Sequence, residues 1–121
     1  MTQEQLRNLS TIIGVYGREP QVDMAVEECS ELIKALMKFR RNGKQCNCSD
    51  DVERIKECRD AVIDEIADVS IMVAQLQIIF GCMGEVEERI DFKINRQLQR
   101  IKEKEACANA CEVTGRNDSS E

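Results

Sequence analysis

Apolar positions recur at helical spacing along most of the chain, and the longest such run, Ala61 to Phe80, is apolar on nearly every side while containing Asp64, Glu65 and Asp68. At about 100° per residue, Val62, Ile66, Val69 and Val73 form one flank and Ile63, Ala67, Ala74 and Ile78 another. A helix apolar all round is normally buried. Glu65 and Asp68 share a face with Met72, Leu76 and Ile79, so they are not the wet side of an amphipathic helix. Carboxylates placed there must protonate, pair with bases or bind a cation.

The remaining pattern predicts three more helices. Thr2 can cap a first helix, with Gln5 reaching back and a stripe of Leu6, Leu9, Ile12 and Ile13; Gly14 and Gly17 end it. Pro20 suits a first turn, and Gln21 to Arg41 reads as an amphipathic second helix with a core face of Val22, Ala25, Val26, Cys29, Leu32, Ile33, Leu36 and Met37. Arg40 to Asp51 is polar and holds Gly43, which predicts a loop in which Ser49 or Asp50 caps a third helix running from about Asp51 to Phe80. Gly81 and Gly84 break the chain. A fourth helix, about Glu85 to Ala106, has Val86, Ile90, Ile94, Leu98 and Ile101 as its stripe. The expectation is one all-α domain over residues 1–106, with 107–121 a disordered tail because its end lacks apolar residues.

Composition narrows the function classes. Aromatic residues make up 3% of the 121 residues and there is a single Pro, which argues against a sheet-rich fold. A net charge of −6 disfavours sequence-independent nucleic-acid binding. Asp64, Glu65 and Asp68 interrupt the best membrane-spanning candidate, and no basic-then-apolar start is present, so a cytoplasmic protein without membrane association is expected. The seven cysteines are an odd number scattered through helices, which predicts reduced thiols. Cys46, Cys48, Cys107 and Cys111 lack zinc-site spacing, and the chain has no histidine.

Glu27, Glu28 and Glu31 lie within roughly 100° of one another on the second helix. Glu-to-Lys pairs with Lys34 and Lys38 would make them a solvated face. If the second and third helices pack antiparallel, however, Glu28 and Glu31 can meet Glu65 and Asp68. An all-oxygen site favours Mg²⁺ or Mn²⁺ over zinc.

Glu28-Cys29-Ser30-Glu31 after Glu27, followed by Glu65-Ile66-Ala67-Asp68, resembles the E-x-x-E … E-x-x-D signature of the all-α nucleoside triphosphate pyrophosphohydrolases, the MazG-like superfamily. Lys93-Ile94-Asn95-Arg96 is similar to the Lys/Asn/Arg stretch that often follows. The linker from Glu31 to Glu65 is longer than in compact members. The resemblance implies a four-helix, MazG-like bundle completed by a homodimer or homotetramer. It further implies Mg²⁺ held by Glu28, Glu31, Glu65 and Asp68, and hydrolysis of a nucleoside triphosphate to monophosphate and pyrophosphate. Glu27 would be a base or outer acid, Lys34, Lys38, Lys93 and Arg96 phosphate contacts, and Asn95 a sugar or base contact. Asp64, about 100° from Glu65, falls outside the site. The competing expectation is a non-catalytic helical interaction module whose acids pair structurally with Lys and Arg.

Overall fold

The computed structural model describes residues 1–44 and 51–117, and its described residues contain four helices: α1 Gln3–Tyr16, α2 Arg18–Lys44, α3 Asp51–Phe80 and α4 Met83–Asn117. The chain divides into two compact units, Met1–Gly81 and Cys82–Glu121. No helix among the described residues is long and apolar enough to cross a membrane.

Local chemistry fixes the helix ends of the first unit. The Thr2 hydroxyl accepts from the Gln5 amide at 3.1 Å while Gln5 Oε1 accepts from the Thr2 amide at 2.8 Å, so both exposed donors are satisfied reciprocally. Gly17, at φ 95°, closes α1 by donating to the Ile13 carbonyl, a conformation that penalises any side chain. Gly14 lies within the helix instead of ending it. Pro20 occupies the first turn of α2, where its missing donor costs nothing. Gly81, at φ 61°, ends α3.

Four boundaries differ from the sequence expectation. The helix α2 starts at Arg18, ahead of Pro20, and continues to Lys44, into the polar stretch expected as a loop; α4 starts at Met83, so that Gly84 lies within it and does not break the chain, and continues to Asn117, so residues 107–117 are helical where a disordered tail is expected. Arginine and lysine are good helix formers, and Gly43 costs only about 1 kcal/mol. Ser49, Asp50, Cys46 and Cys48 lie outside the described residues. The described cysteines, Cys29, Cys58, Cys82, Cys107 and Cys111, are free, as expected.

The first unit is built on an antiparallel pairing of α2 and α3, with α1 packed on both. The pairing is read from contacts that run in opposite directions along the two helices. Arg18 donates to the Ile79 carbonyl at one end, Gln21 Nε2 donates to Gln75 Oε1 at 2.7 Å, and Asn42 Nδ2 approaches Cys58 Sγ at 3.0 Å at the other end. Covered positions include Gln21, Ala25, Glu28, Leu32 and Ala35 on α2 and Cys58, Val62, Glu65, Val69, Met72, Leu76 and Ile79 on α3, joined by Val22 on α2 and by Ile55, Ala74, Gln75, Gln77 and Ile78 on α3. This alternation of three and four residues is the spacing of a helix–helix seam. Leu9 from α1 joins the core.

The seam bears out part of the face expected for α2 and corrects the rest: Val22, Ala25 and Leu32 are covered, whereas Val26 is 68% exposed and Ile33 62%, with Cys29, Leu36 and Met37 also exposed. The acids were expected opposite the core stripe, yet Glu28 occupies a seam position. On α3 Ile63, Ile66, Ile71 and Val73 remain exposed beside the face bearing Glu65, Met72 and Ile79, and the covered surface widens to Ala74, Gln75, Gln77 and Ile78 towards Phe80. One partner helix can cover one stripe, and a helix apolar all round needs more than one.

Among the described residues the second unit contains one helix, α4. Ile90, Ile94, Leu98 and Ile101 are exposed along it, and the Arg96 guanidinium lies 5.9 Å from the centre of the Phe92 ring, in cation–π range.

Candidate metal centre

The helix pairing decides which acids meet. Glu28 lies seven residues along α2 from Gln21 and Glu31 ten; counting back along α3 from Gln75, Asp68 is seven and Glu65 ten. With the two glutamines hydrogen-bonded across the seam, equal counts in opposite directions bring Glu31 to the level of Glu65 and Glu28 to that of Asp68. One carboxylate oxygen each from Glu28, Glu31 and Glu65 lie within 4.8 Å of one another.

Solvation of this trio is incomplete. Glu28 and Glu65 are half-buried, and Glu65 Oε2 is buried without a hydrogen-bond partner. Burial, followed by the charges of Asp68, Glu31, Glu65 and Glu27, raises the Glu28 carboxyl above its ordinary value. Burial also raises Glu65, ahead of the charges of Glu31, Asp68 and Asp64. Among the described residues the ion pair within 4 Å is Arg59 with Asp60, and Lys34 and Lys38 do not pair with Glu27 or Glu31. Glu27, Lys34 and Lys38 are exposed, so this side of α2 is solvated as the Glu-to-Lys reading expects, without its ion pairs closed.

The other expected site residues separate into groups. Asp68 is exposed, outside the trio yet near enough for its charge to raise both Glu28 and Glu65. Glu27 is exposed beside Glu28, its backbone carbonyl accepting from Ser30. Lys34 lines a cavity of about 510 Å³ with Glu31, Ala35, Lys38, Arg41 and Glu65. Lys93, Asn95 and Arg96 lie exposed on α4, in the second unit.

Three residues that position or extend the site escaped sequence reasoning. Gln21 and Gln75 are buried in the seam, and Arg41, at the end of the helix expected from the sequence, lines the cavity. The spacing 31, 34, 38, 41 is the signal that would have found Arg41.

The donor set fits a hard divalent cation: three close carboxylates, one with an unsatisfied buried oxygen, and neither histidine nor thiolate in the set. Without such a cation, ionising Glu28 and Glu65 opposes folding. With folded pKa values above the unfolded ones, the folded state binds more protons in the interval between them, so stability falls as pH rises through it. The metal-free protein is thus expected to melt at a higher temperature at about pH 5 than at about pH 7. Thermal unfolding across pH checks this. Glu28→Gln/Glu65→Gln should flatten the profile, and a wild-type profile already matching that variant would reject the electrostatic account.

Comparison of the chain with family models, with curated proteins and with solved structures gives no match.

Proposed function

We propose that the chain is a Mg²⁺-dependent nucleotide pyrophosphohydrolase of MazG-like type, with Mn²⁺ as a substitute, that hydrolyses a nucleoside triphosphate to nucleoside monophosphate and pyrophosphate. The observation supporting it most directly is Glu65 Oε2, buried and unpartnered beside two further carboxylates. An orphaned anionic oxygen in such a position costs free energy unless a cation reaches it.

Glu28, Glu31 and Glu65, with Asp68 at the rim, would hold the metal. When bound, Mg²⁺ supplies charge neutralisation at phosphate oxygens and lowers the pKa of a coordinated water. The chain's own residues do the remaining work. Lys34, on the cavity wall beside Glu31, binds a phosphate oxygen through a charge-assisted hydrogen bond. Glu27, exposed beside Glu28, accepts the proton lost by the attacking water. That water adds to the α-phosphorus as the bond to the β-phosphate oxygen breaks, and pyrophosphate leaves. The resemblance also implies substrate contacts at Lys93, Asn95 and Arg96, which lie on α4 in the second unit.

Self-association belongs to the same proposal. Val26, Ile33 and Ile66 are all more than half exposed on the paired helices. A separate helix with exposed isoleucines has no core of its own. A homodimer or homotetramer would cover both surfaces. The same exposed stripes support the second reading, a helical interaction module. Incubating the protein with canonical and modified nucleoside triphosphates and Mg²⁺ separates the two: monophosphate plus pyrophosphate supports the enzyme, and absence of turnover across the panel favours the module.

A further inference from the structure

The net charge of −6 conceals a segregation along α4. Residues 89–104 hold six bases and two acids, and five of the bases, Arg89, Lys93, Arg96, Arg100 and Lys104, follow one another at intervals of four, three, four and four residues. At about 100° per residue they fall within an arc of roughly 80°, in a row that rises about 22 Å. All five are exposed, and none closes an ion pair among the described residues. Asp91 lies on the far side of the helix, and Glu103, at the edge of the arc, accepts a hydrogen bond from Gln99 Nε2 at 3.2 Å. The row is about 120° from the stripe of Ile90, Ile94, Leu98 and Ile101, so a partner that covers the stripe leaves the row open.

Cations at axial intervals of about 4.5–6 Å suit a partner that repeats one negative charge along its length, and outnumber what a single compact anion can engage. Nucleic acid, an anionic lipid surface and an acidic protein all carry such charge. Two observations separate them. Glu87 and Glu105 fall inside the sector of the apolar stripe, so a helix inserted by that stripe would press both acids onto the headgroups, against the attraction that such binding needs. Beside the row, Phe92 is 65% exposed and its ring carries the Arg96 guanidinium at 5.9 Å. A cation that can hold a phosphate next to an open aromatic face, on which an unpaired base can stack, is the combination used by proteins that bind single strands. A duplex keeps its bases stacked on one another and an acidic protein surface makes no use of the open ring.

We infer that this row is a docking surface for single-stranded nucleic acid, with phosphates on Arg89, Lys93, Arg96, Arg100 and Lys104 and a base stacked on Phe92. The contact is independent of sequence, because phosphate contacts carry no base information. Lys93 and Arg96 are also the substrate contacts implied by the resemblance. Arg89, Arg100 and Lys104 lie outside that assignment and extend the row well beyond one nucleotide, and the inference stands apart from the hydrolase.

Binding of a fluorescently labelled oligothymidylate of about 16 nucleotides to the full-length protein, followed by anisotropy in EDTA, tests this with neither metal nor nucleotide at the carboxylates. Wild type is expected to bind at about 50 mM salt, with log K falling against log[salt] at a slope of about −3.5 for five neutralised phosphates. Arg100→Gln/Lys104→Gln should bind at least about tenfold more weakly, with a slope shallower by about 1.4. Glutamine is a good helix former, so circular dichroism should show the same helix content. Lys102→Gln removes a cation from the opposite side of α4 and should bind as wild type does. Phe92→Leu should weaken binding of the strand and leave the slope unchanged. Wild type that stays unbound at low salt would overturn the inference. Equal losses in Arg100→Gln and Lys102→Gln would do the same, by reducing the row to bulk charge. So would a Phe92→Leu variant that binds the strand as tightly as wild type, or a wild type that prefers phosphatidylserine vesicles or a duplex of equal length to the strand.

Discussion

Glu65→Gln is expected to abolish Mg²⁺-dependent hydrolysis and Mg²⁺-dependent stabilisation while leaving the helical fold in place. Its carboxylate belongs to the trio within 4.8 Å, and its Oε2 is the buried oxygen without a partner. The amide nearly matches the carboxylate in shape, so packing in the seam survives. It carries no charge, so the repulsion from Glu31, Asp68 and Asp64 is relieved. The metal-free variant should therefore be at least as stable as the wild type near neutral pH, an inversion of the usual outcome of changing a half-buried residue. Activity should fall by about 100-fold or more, since even residues that only support metal ligands act on the 10- to 100-fold scale. Asp68→Asn, at the exposed rim, should be milder. Circular dichroism, thermal unfolding with and without Mg²⁺, and pyrophosphate release measure these quantities. An unchanged Mg²⁺ response in Glu65→Gln and Asp68→Asn alike would defeat the metal assignment.

The second large effect lies away from the carboxylates. Gln75 is 2% exposed, accepts from Gln21 and sits 3.8 Å from Met72 Sδ. Gln75→Leu would strand the buried Gln21 amide, at a cost of about 1–3 kcal/mol. Gln21→Leu/Gln75→Leu removes both polar groups and should recover most of that loss, as apolar replacement of a buried polar pair often does. Recovery should not extend to function. Without the polar pair, an apolar seam distinguishes poorly between one register of α2 on α3 and its neighbours. The double variant is expected to be stable yet weak in its Mg²⁺ response. Urea denaturation of both single variants and the double, read as a cycle, measures the coupling. A double variant with full Mg²⁺ response would show that the glutamines do not set the register.

What the sequence made legible follows from how local each determinant is. The Thr2–Gln5 capping box, the stop at Gly17 and the bounds of α3 were readable because each depends on a few neighbouring residues and the helical period. The convergence of Glu28 and Glu31 with Glu65 was legible only conditionally, on an antiparallel pairing. Of the apolar face expected for α2, Val22, Ala25 and Leu32 are covered and Val26, Ile33, Leu36 and Met37 are not, because the seam follows its partner's register and brings in Gln21 and Glu28, which hydropathy alone does not select. The extension of α2 to Lys44 was hidden by polar composition, which does not distinguish a solvated helix from a loop.

The Gln21–Gln75 contact also bears on how such a chain tolerates change in length. Because Glu31 and Glu65 stand at equal counts from it, their meeting is set from within the helices and not by the segment that joins them. Residues can be added to or removed from the join between α2 and α3 at small entropic cost, without moving the carboxylates. A single residue gained or lost between Gln21 and Glu28 has no such freedom: it would rotate the acids by about 100° out of the seam, and only a near-whole number of turns would restore them. The long linker between the two acidic motifs is thus a place where descendants of this hairpin can diverge while the carboxylates stay in step.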